Sequence, residues 1–442
     1  MRVVVVSPET SYHRAIDVTH RLERLVVGLA AGGHDVTVLT TRWWADGDGP
    51  SVTGGIDTSY ADAMGSAGSP DAPGAAAGSD DRKSAVADGN DPESAVADGE
   101  DPESVAADGP TAPRDDSHPA SRAWAEPPEE GEVDDDGVRT VDGVSYRALA
   151  DGPGAYRSFL TSVPGRIARA RPDVIHAVAS RPGTVVAARA GGSLARSPVI
   201  AEWYDATDAD ADDWFVRQAA RRPDRVVVPS RLVRRQLREL GADGDDVRVV
   251  PNAVRLDDIE GTEPSGGGEI VFARRLDEAA NLESLLLGLA ELRDYDWSAI
   301  VVGEGPARPE YEQQVRDLRI DDRVTFAGEC DREERIAIYR DSHVFVQTAR
   351  RSPFATELLW GLACGCVGIV EYHAESSAHE LVEGRDRGFR TTTPDEMADA
   401  IRSAGDLERL TVDDSFGRYD ESAVVDRYLD CYESVTERYG LL

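Results

Sequence analysis

The feature that most constrains the fold is a regular alternation of short apolar runs with longer amphipathic stretches. The chain opens with "RVVVV", continues with "THRLERLVVGLAAGG", whose apolar residues recur at helical spacing, and returns to "HDVTVLTT". This order predicts a strand, a helix and a second strand, and therefore a parallel sheet. The same alternation resumes after residue 137 and continues to about residue 404.

An acidic segment of low complexity interrupts the alternation. Between Asp46 and Gly137 the chain carries 24 Asp and Glu residues against four basic ones, and Ser84 to Pro113 are three tandem ten-residue copies. This composition buries too little apolar surface to offset the entropy of ordering. We therefore predict that residues 46–137 are a disordered insertion, since a stacked repeat would need an apolar stripe that these copies lack.

The rest of the sequence predicts two domains. A chain of 442 residues is too long for one ordinary core, and "TEPSGGGE" has the composition of a hinge. We predict a first doubly wound α/β domain over residues 1–45 and 138–260 and a second over 266–412. A last helix, within residues 413–442, is expected to cross back to the first domain. Ligands of such folds bind at the carboxyl ends of the strands.

The charge of the chain excludes some functions. The formal net charge is −35, and Lys83 is the single lysine of the sequence. Surplus carboxylates with almost no lysine resemble the proteins of salt-accumulating halophiles, in which a solvated acidic surface maintains solubility. Binding of nucleic acid is not expected, because phosphate contacts need clustered positive charge.

Cysteine content and hydropathy favour an intracellular protein without a metal. The four cysteines, of which Cys364 and Cys366 form "CGC", have neither disulfide nor zinc spacing, so we expect them to be core residues. The sequence contains no run of about twenty apolar residues. We therefore expect a cytoplasmic protein.

Ten short motifs, in order along the chain, resemble the retaining GT-B glycosyltransferases of the "glycosyl transferases group 1" kind. The first domain supplies "LAAGGHDVTVLT", "RPDVIHAV", "DRVVVPSRLVRRQL" and "VRVVPNAV", and the second "RRL…N", "VVGEGP", "RVTFAGE", "LACG" and "AHELVEGRDRGF" among others. The resemblance covers nearly the whole chain apart from the insertion. It implies the GT-B fold, in which two Rossmann-like domains face each other across a cleft.

The resemblance also implies a reaction. Such enzymes transfer a sugar, with retention, from a nucleotide sugar to an acceptor hydroxyl, and the donor lies against the second domain. They use no metal and no cofactor apart from the nucleotide-sugar co-substrate. The departing diphosphate is stabilised by basic side chains and by a helix N-terminus.

Two arginines are the candidate phosphate ligands. Arg275 matches the family's diphosphate arginine at the end of "IVFARRL", whereas Ala280 replaces the family's lysine and Asn281 is retained. Arg274 is the candidate second cation. The alternative is that both arginines belong to a solvated turn.

The family's two donor-site glutamates are missing. Ser352 and Trp360 stand in their places, and Glu357 lies one helical turn before Trp360. Glu357 is therefore the candidate for contacting the ribose or the donor sugar. Alternatively, Ser352 caps the helix, Glu357 complements its positive end, and Trp360 is a core residue.

Further candidates follow from the same alignment. The predicted catalytic residues are Asp205, Glu357 and Arg275. The predicted donor-binding residues are Arg274, Arg275, Asn281, Gly303, Phe326, Ser352, Phe354, Glu357, Trp360, Ser376 and Ser377. On the acceptor side we predict Glu9, Tyr12, His13, Arg14, His176 and Tyr204, the last in place of a family histidine. Histidine in a buried strand is also often a hydrogen-bonded core residue, which is the alternative for His176.

Eight arginines between Arg217 and Arg238 are the basic concentration of an otherwise acidic chain. Because lipid-linked acceptors are common in the family, docking on an anionic membrane surface is one prediction; a solvated helix face is the other. The leading functional reading is a glycosyltransferase of glycoconjugate or surface-glycan synthesis acting on a glycan or lipid-linked acceptor. The alternatives are a GT-B binding or regulatory protein without turnover, and a GT-B epimerase.

Overall fold

The computed structural model describes residues 1–13, 17–43 and 138–440. Arg14 and the whole of the predicted insertion 46–137 lie outside the described residues. The described chain forms two predominantly parallel sheets, one of eight and one of six strands, and a short two-stranded ribbon.

The first sheet has the strand order β3-β4-β2-β1-β5-β6-β7-β8. Its strands are β1 (Arg2–Val6), β2 (Asp35–Thr41), β3 (Val138–Val141), β4 (Val144–Ala150), β5 (Val174–Val178), β6 (Val199–Glu202), β7 (Arg225–Val228) and β8 (Val247–Val249). All neighbours are parallel except β3 and β4, which form a hairpin. That hairpin turns at Asp142 and Gly143, both with positive φ, as a two-residue turn requires. The central strands read as continuous apolar runs because helices cover both faces of the sheet.

Helices connect these strands. They are α1 (Asp17–Ala31), α2 (Tyr156–Ala170), α3 (Pro182–Ala195), α4 (Trp214–Arg221), α5 (Arg231–Glu239) and α6 (Leu256–Gly261). The helix α5 begins after Ser230, whose hydroxyl accepts from the N–H of Val233, an N-cap that its sequence favours. Of these helices, the sequence reasoning missed α6.

The second sheet has the order β11-β10-β9-β12-β14-β16. Its strands are β9 (Ile270–Ala273), β10 (Ala299–Val302), β11 (Val324–Gly328), β12 (Val344–Gln347), β14 (Val367–Glu371) and β16 (Gly388–Thr391). Its helices are α7 (Leu282–Glu291), α8 (Arg308–Leu318), α9 (Arg332–Asp341), α10 (Thr356–Ala363), α11 (His379–Val382) and α12 (Pro394–Ala404). The ribbon pairs β13 (Arg351–Ser352) with β15 (Glu375–Ser376).

The last helix, α13 (Glu421–Arg438), returns to the first domain. The hydroxyl of Tyr428 donates to Glu202 at 2.5 Å, and Tyr432 is hydrogen-bonded to His176 at 3.0 Å, both in the first sheet. One buried apolar cluster runs from β1 and α1 through α10 to α13 and so joins the two domains. The structure therefore confirms the predicted architecture, two Rossmann-like doubly wound domains that face each other, with a C-terminal helix that crosses back.

Candidate functional site

The candidate site lies where the carboxyl ends of the two sheets meet. The helix α10 begins here at Thr356, after Ala355, and among the described residues no side chain caps it. The alternative in which Ser352 is the N-cap is therefore wrong. Ser352 lies instead in the ribbon, paired with Ser376, and is buried. The ribbon holds the loop before α10 and the loop after β14 against each other.

Arg274 follows β9 and is buried against this ribbon. It is 6 % exposed, and its Nη2 donates to the carbonyl of Arg351 at 3.1 Å. Its Nε is also buried and has no acceptor among the described residues. Burial lowers the pKa of Arg274, although Asp277 and Asp17 oppose that shift. Arg275, the next residue, is partly exposed.

The serine loop after β14 gives a second unpaired polar group. The hydroxyl of Ser376 is buried and has no partner in the described part of the chain. Ser377, in contrast, is fully used within the protein: its N–H donates to Ser352 at 2.9 Å and its hydroxyl to Pro353 at 2.8 Å. Of the two serines, Ser376 is thus the one whose hydroxyl is available to bond to a ligand.

Glu357 is held inside the second domain. Its carboxylate accepts from Arg335 at 3.0 Å and from the Tyr339 hydroxyl at 2.5 Å, and its side chain is 16 % exposed. Burial and the neighbouring carboxylate raise the pKa of Tyr339 well above its ordinary value, so Tyr339 stays protonated and donates. Neither Arg335 nor Tyr339 was among the predicted site residues.

The other donor-side candidates are mainly packing residues. Asn281 is buried, donates to Glu371 at 2.9 Å and accepts from Arg350 at 2.7 Å. Gly303 has φ 126°, and a Cβ there would lie 2.1 Å from the Arg274 carbonyl oxygen, so a side chain has no room. Phe354 and Trp360 are buried in the apolar cluster that joins the domains, and Phe326 is partly buried. The guanidinium groups of Arg24 and Arg332 each lie 5.8 Å from the ring centre of Trp360.

Two polar contacts cross between the domains near α10. The amide of Asn252 donates to the Thr356 hydroxyl at 2.8 Å and to Tyr204 at 3.1 Å. Tyr204 in turn donates to Asp17 at 2.9 Å. Burial, and then the charge of Glu357, raise the pKa of Asp17. Asp17 and Asn252 were missed as site residues, although "PNAV" contains the asparagine.

The second contact is an ion pair between Arg351 and the loop after β6. Nη2 of Arg351 donates to Asp205 at 3.0 Å and to Asp208 at 2.7 Å. Asp205 also accepts from the N–H and hydroxyl of Thr207 at 2.8 and 2.7 Å. The predicted catalytic Asp205 is therefore a buried loop residue that faces an arginine of the other domain.

The predicted acceptor-side residues are not one cluster. Glu9 pairs with Arg181 at 3.1 Å, and Tyr12 stacks on Trp43 with 4.1 Å between ring centres. His13 accepts from the N–H of Thr10, and burial lowers its pKa to about 4. His176 is fully buried, with both ring nitrogens hydrogen-bonded, so the structure places it in the core rather than at the interface.

Most of the arginines between Arg217 and Arg238 serve contacts inside the protein. Arg225 is buried, and Arg221 and Arg234 donate to carbonyl groups of Leu240 and Gly244. Arg231 pairs with Glu380 and Glu383 of the second domain, and Arg235 donates to the carbonyl of Ala374. These contacts engage several of the eight arginines within the protein, although Arg221, Arg231 and Arg235 are still exposed.

The described residues show neither a metal-binding cluster nor a membrane-spanning helix. No group of three or more His, Cys, Asp and Glu residues in residues 1–13, 17–43 and 138–440 is arranged to hold a metal ion. No helix in the same ranges is long and apolar enough to span a membrane. Cys364 and Cys366 are both buried, as predicted for core residues.

Comparisons with known proteins give the family. Residues 93–253 match the glycosyl transferase 4-like domain, and residues 256–418 match the glycosyl transferases group 1 model. The first match begins inside the predicted insertion. Together the two matches cover about three quarters of the chain, and the protein belongs to the group 1 glycosyltransferases. No curated protein matches it in sequence.

Solved structures agree on the fold. A glycosyltransferase from Rickettsia africae has a TM-score of 0.62 at 10 % identity, over 98 % of each chain. Sucrose-phosphate synthase from Thermosynechococcus elongatus has a TM-score of 0.56 at 15 % identity, over 100 % of this chain and 97 % of that one. Anabaena HepE, solved with UDP, has a TM-score of 0.52 at 16 % identity, over 68 % of this chain and 87 % of that one.

Proposed function

We propose that this glycosyltransferase takes a sugar from a nucleoside-diphosphate donor and transfers it, with retention and without a metal or cofactor, to an acceptor hydroxyl. The observation that carries the proposal is the pair of unpaired buried polar groups beside α10. Arg274 Nε and Ser376 Oγ lie at the same ribbon, next to a helix start that no described side chain caps. A guanidinium, a hydroxyl and helix N–H groups together suit a diphosphate.

The chemistry required of such a site is modest. As the bond from the sugar to the diphosphate breaks, negative charge grows on the leaving oxygen. Fixed donors that face this oxygen stabilise the transition state more than the ground state, because they need no reorganisation. Arg274 fits that role, since its burial and its bond to the Arg351 carbonyl hold the guanidinium in place. Arg275 is proposed as a second cation.

The acceptor and the biological role are proposed from the family resemblance. A glycan or lipid-linked acceptor would lie against the first domain, and the product would belong to glycoconjugate or surface-glycan synthesis. Peripheral contact with an anionic membrane, through the arginines of Arg217–Arg238 that remain exposed, belongs to the same proposal, as does a cytoplasmic location.

Binding of the nucleotide is the first test. The full chain is titrated calorimetrically with UDP, GDP and ADP in molar salt, and then supplied with labelled nucleotide sugars. One nucleoside diphosphate is expected to bind, and its sugar to be transferred or slowly released. Arg274→Met should weaken binding by about tenfold to a hundredfold, since a charged hydrogen bond is lost. The matched control is Arg316→Met, an exposed arginine whose described side-chain partner is Gln313.

A catalytically inactive nucleotide-sugar-binding or regulatory protein is the second candidate. It is favoured by Glu357, whose carboxylate is occupied by Arg335 and Tyr339, and by the non-acidic Ser352 and Trp360. Tight binding without release of any labelled sugar would support this candidate. Absence of binding by every nucleoside diphosphate would exclude both candidates.

A further inference from the structure

Arg351 occupies an unusual position between the two domains. Its backbone lies in the ribbon opposite Glu375, one residue from the pair of Ser352 and Ser376, and its carbonyl accepts from Arg274. Its side chain crosses to the first domain, where one nitrogen, Nη2, bonds to both Asp205 and Asp208. The Arg351 side chain is one quarter exposed, so it is not enclosed by the protein as Arg274 is.

The two carboxylates depend on Arg351 to different degrees. Asp205 keeps two hydrogen bonds from Thr207 whether or not the arginine is present. Asp208 is nearly half exposed and is solvated by water when its partner leaves. The pair with Asp208 contributes little net free energy, because solvent screens it and replaces it readily. The pair with Asp205 costs more to break, because that side chain is only 2 % exposed and Arg351 bonds to the oxygen that Thr207 does not use. Arg351 can therefore leave Asp208 at low cost, whereas leaving Asp205 requires that a stronger anionic partner such as a phosphate takes up the guanidinium.

We propose that Arg351 is a mobile phosphate ligand of the donor site, exchanged between Asp205 and Asp208 in the ligand-free protein and the donor diphosphate in the complex. The inference rests on the proposed function. The ribbon fixes the start of the Arg351 side chain beside the two unpaired groups, Arg274 Nε and Ser376 Oγ. A diphosphate bound there adds negative charge next to Arg351, and the guanidinium can meet it with two parallel N–H bonds.

The exchange also couples binding of the donor to a contact between the two domains. While Arg351 bonds to Asp205 and Asp208, it ties the ribbon to the loop after β6. When the guanidinium turns to the diphosphate, this tie is released and the loop carboxylates face the cleft. The two aspartates thus compete with the donor for one cation, and weakening them should tighten diphosphate binding.

Titration of the full chain with inorganic pyrophosphate, and separately with UDP, tests the exchange at one fixed salt concentration. Arg351→Met should weaken pyrophosphate binding by about tenfold or more. Asp208→Asn should strengthen it by about two- to fivefold, because the competing ion pair is weaker. In the double variant the gain from Asp208→Asn should disappear, since the cation for which it competes is gone.

The control is Arg231→Ala, which removes another ion pair between the domains, with Glu380 and Glu383. It should leave pyrophosphate affinity unchanged. If it weakens binding as much as Arg351→Met, the effect belongs to domain contact in general and the exchange is overturned. Thermal unfolding of each variant checks that it is folded.

Two outcomes separate this inference from the proposed function. If Arg274→Met abolishes pyrophosphate binding while Arg351→Met and Asp208→Asn leave it unchanged, the donor site stands and the exchange fails. If the unmodified protein binds neither pyrophosphate nor any nucleoside diphosphate, the proposed function itself fails.

Discussion

Two glutamates of this protein have the same kinds of partner and different surroundings. Glu202, at the end of β6, accepts from Arg21 and Tyr428, and Glu357, at the start of α10, accepts from Arg335 and Tyr339. In both, the tyrosine hydroxyl lies 2.5 Å from the carboxylate. Yet the side chain of Glu202 is 1 % exposed and that of Glu357 is 16 % exposed.

The difference shows that burial decides whether a charged side chain only stabilises the fold or also remains accessible to solvent. Glu202 has a third partner, His176 at 2.9 Å, and its network reaches Asn252 through Arg21 at 2.9 Å. It holds α13 on the first domain. Glu357 lies near Asp17 and the interface, where it retains some contact with solvent. We expect the cost of changing a charge to fall steadily from Glu202 to Glu357 to the exposed ion pairs between the domains.

The largest expected effect is that of Glu202→Gln. Removing this charge leaves the guanidinium of Arg21 buried without its counter-ion, and breaking a buried pair in this way costs about 3–5 kcal/mol. The free energy of unfolding, measured by denaturant titration in constant salt, should fall by that amount. Glu383→Gln, in a mostly exposed pair with Arg231, is the control and should show no measurable change. Equal effects of the two variants would contradict the comparison.

The stability of the Glu202 network should also depend on pH. Burial raises the pKa of Glu202, but Arg21, His176 and Tyr428 outweigh burial and hold it well below its ordinary value. A carboxyl whose folded pKa is depressed stabilises the protein above its unfolded pKa of about 4.3, and this stability is lost as pH falls. Below about pH 4 the unfolding free energy should therefore fall more steeply in the natural protein than in Glu202→Gln. Parallel pH profiles would show that Glu202 is not specially stabilised.

An intermediate effect is expected for Glu357→Gln. Arg335 and Tyr339 lose a charged acceptor, but partial exposure lets water replace part of it, so we expect a loss of about 1–3 kcal/mol. Nucleotide affinity, measured by calorimetry on the same samples, tells whether Glu357 also contacts the donor. A variant of unchanged stability that no longer binds would place Glu357 with the ligand rather than with Arg335.

The smallest effect on stability is expected for Arg231→Ala. The Arg231 side chain and Glu383 are mostly exposed, and Glu380, although only 13 % exposed, keeps hydrogen bonds from the backbone N–H groups of Arg231 and Leu232. Solvent and backbone donors therefore replace most of what the two ion pairs contribute. The thermal midpoint should shift by a few degrees at most, and by less as salt is added. A large shift would mean that contact between the domains, rather than the core of each, limits stability.

The sequence predicted the fold well because its signals are local. The apolar runs and the helical spacing each specify one element, and their alternation leaves few topologies. The start of α10 is a case in which local sequence signals gave the wrong prediction. "SP" satisfies the rules for a helix start, but Ser352 pairs with Ser376, a residue 24 positions away, and the helix begins four residues later.

The candidate site was predicted only in outline. Arg274 and Ser376 were named from alignment, but nothing in the sequence shows that Arg274 is buried with a free Nε or that Ser377 is already occupied. Arg351 was missed because its partners, Asp205 and Asp208, lie 146 and 143 residues away in the sequence. His176 and Glu202 are likewise joined to the last helix only by folding.

By itself, the sequence determined the two-domain α/β architecture and the edge at which a ligand can bind, since hydrophobic periodicity and turn chemistry act over a few residues. Only the tertiary structure decided which charges are consumed inside the protein and which remain for a ligand. Hydrogen bonding and burial depend on groups that are far apart in the chain. For that reason Glu202 and Glu357, which have the same kinds of partner, became a fully buried core residue and a partly exposed residue of the second domain.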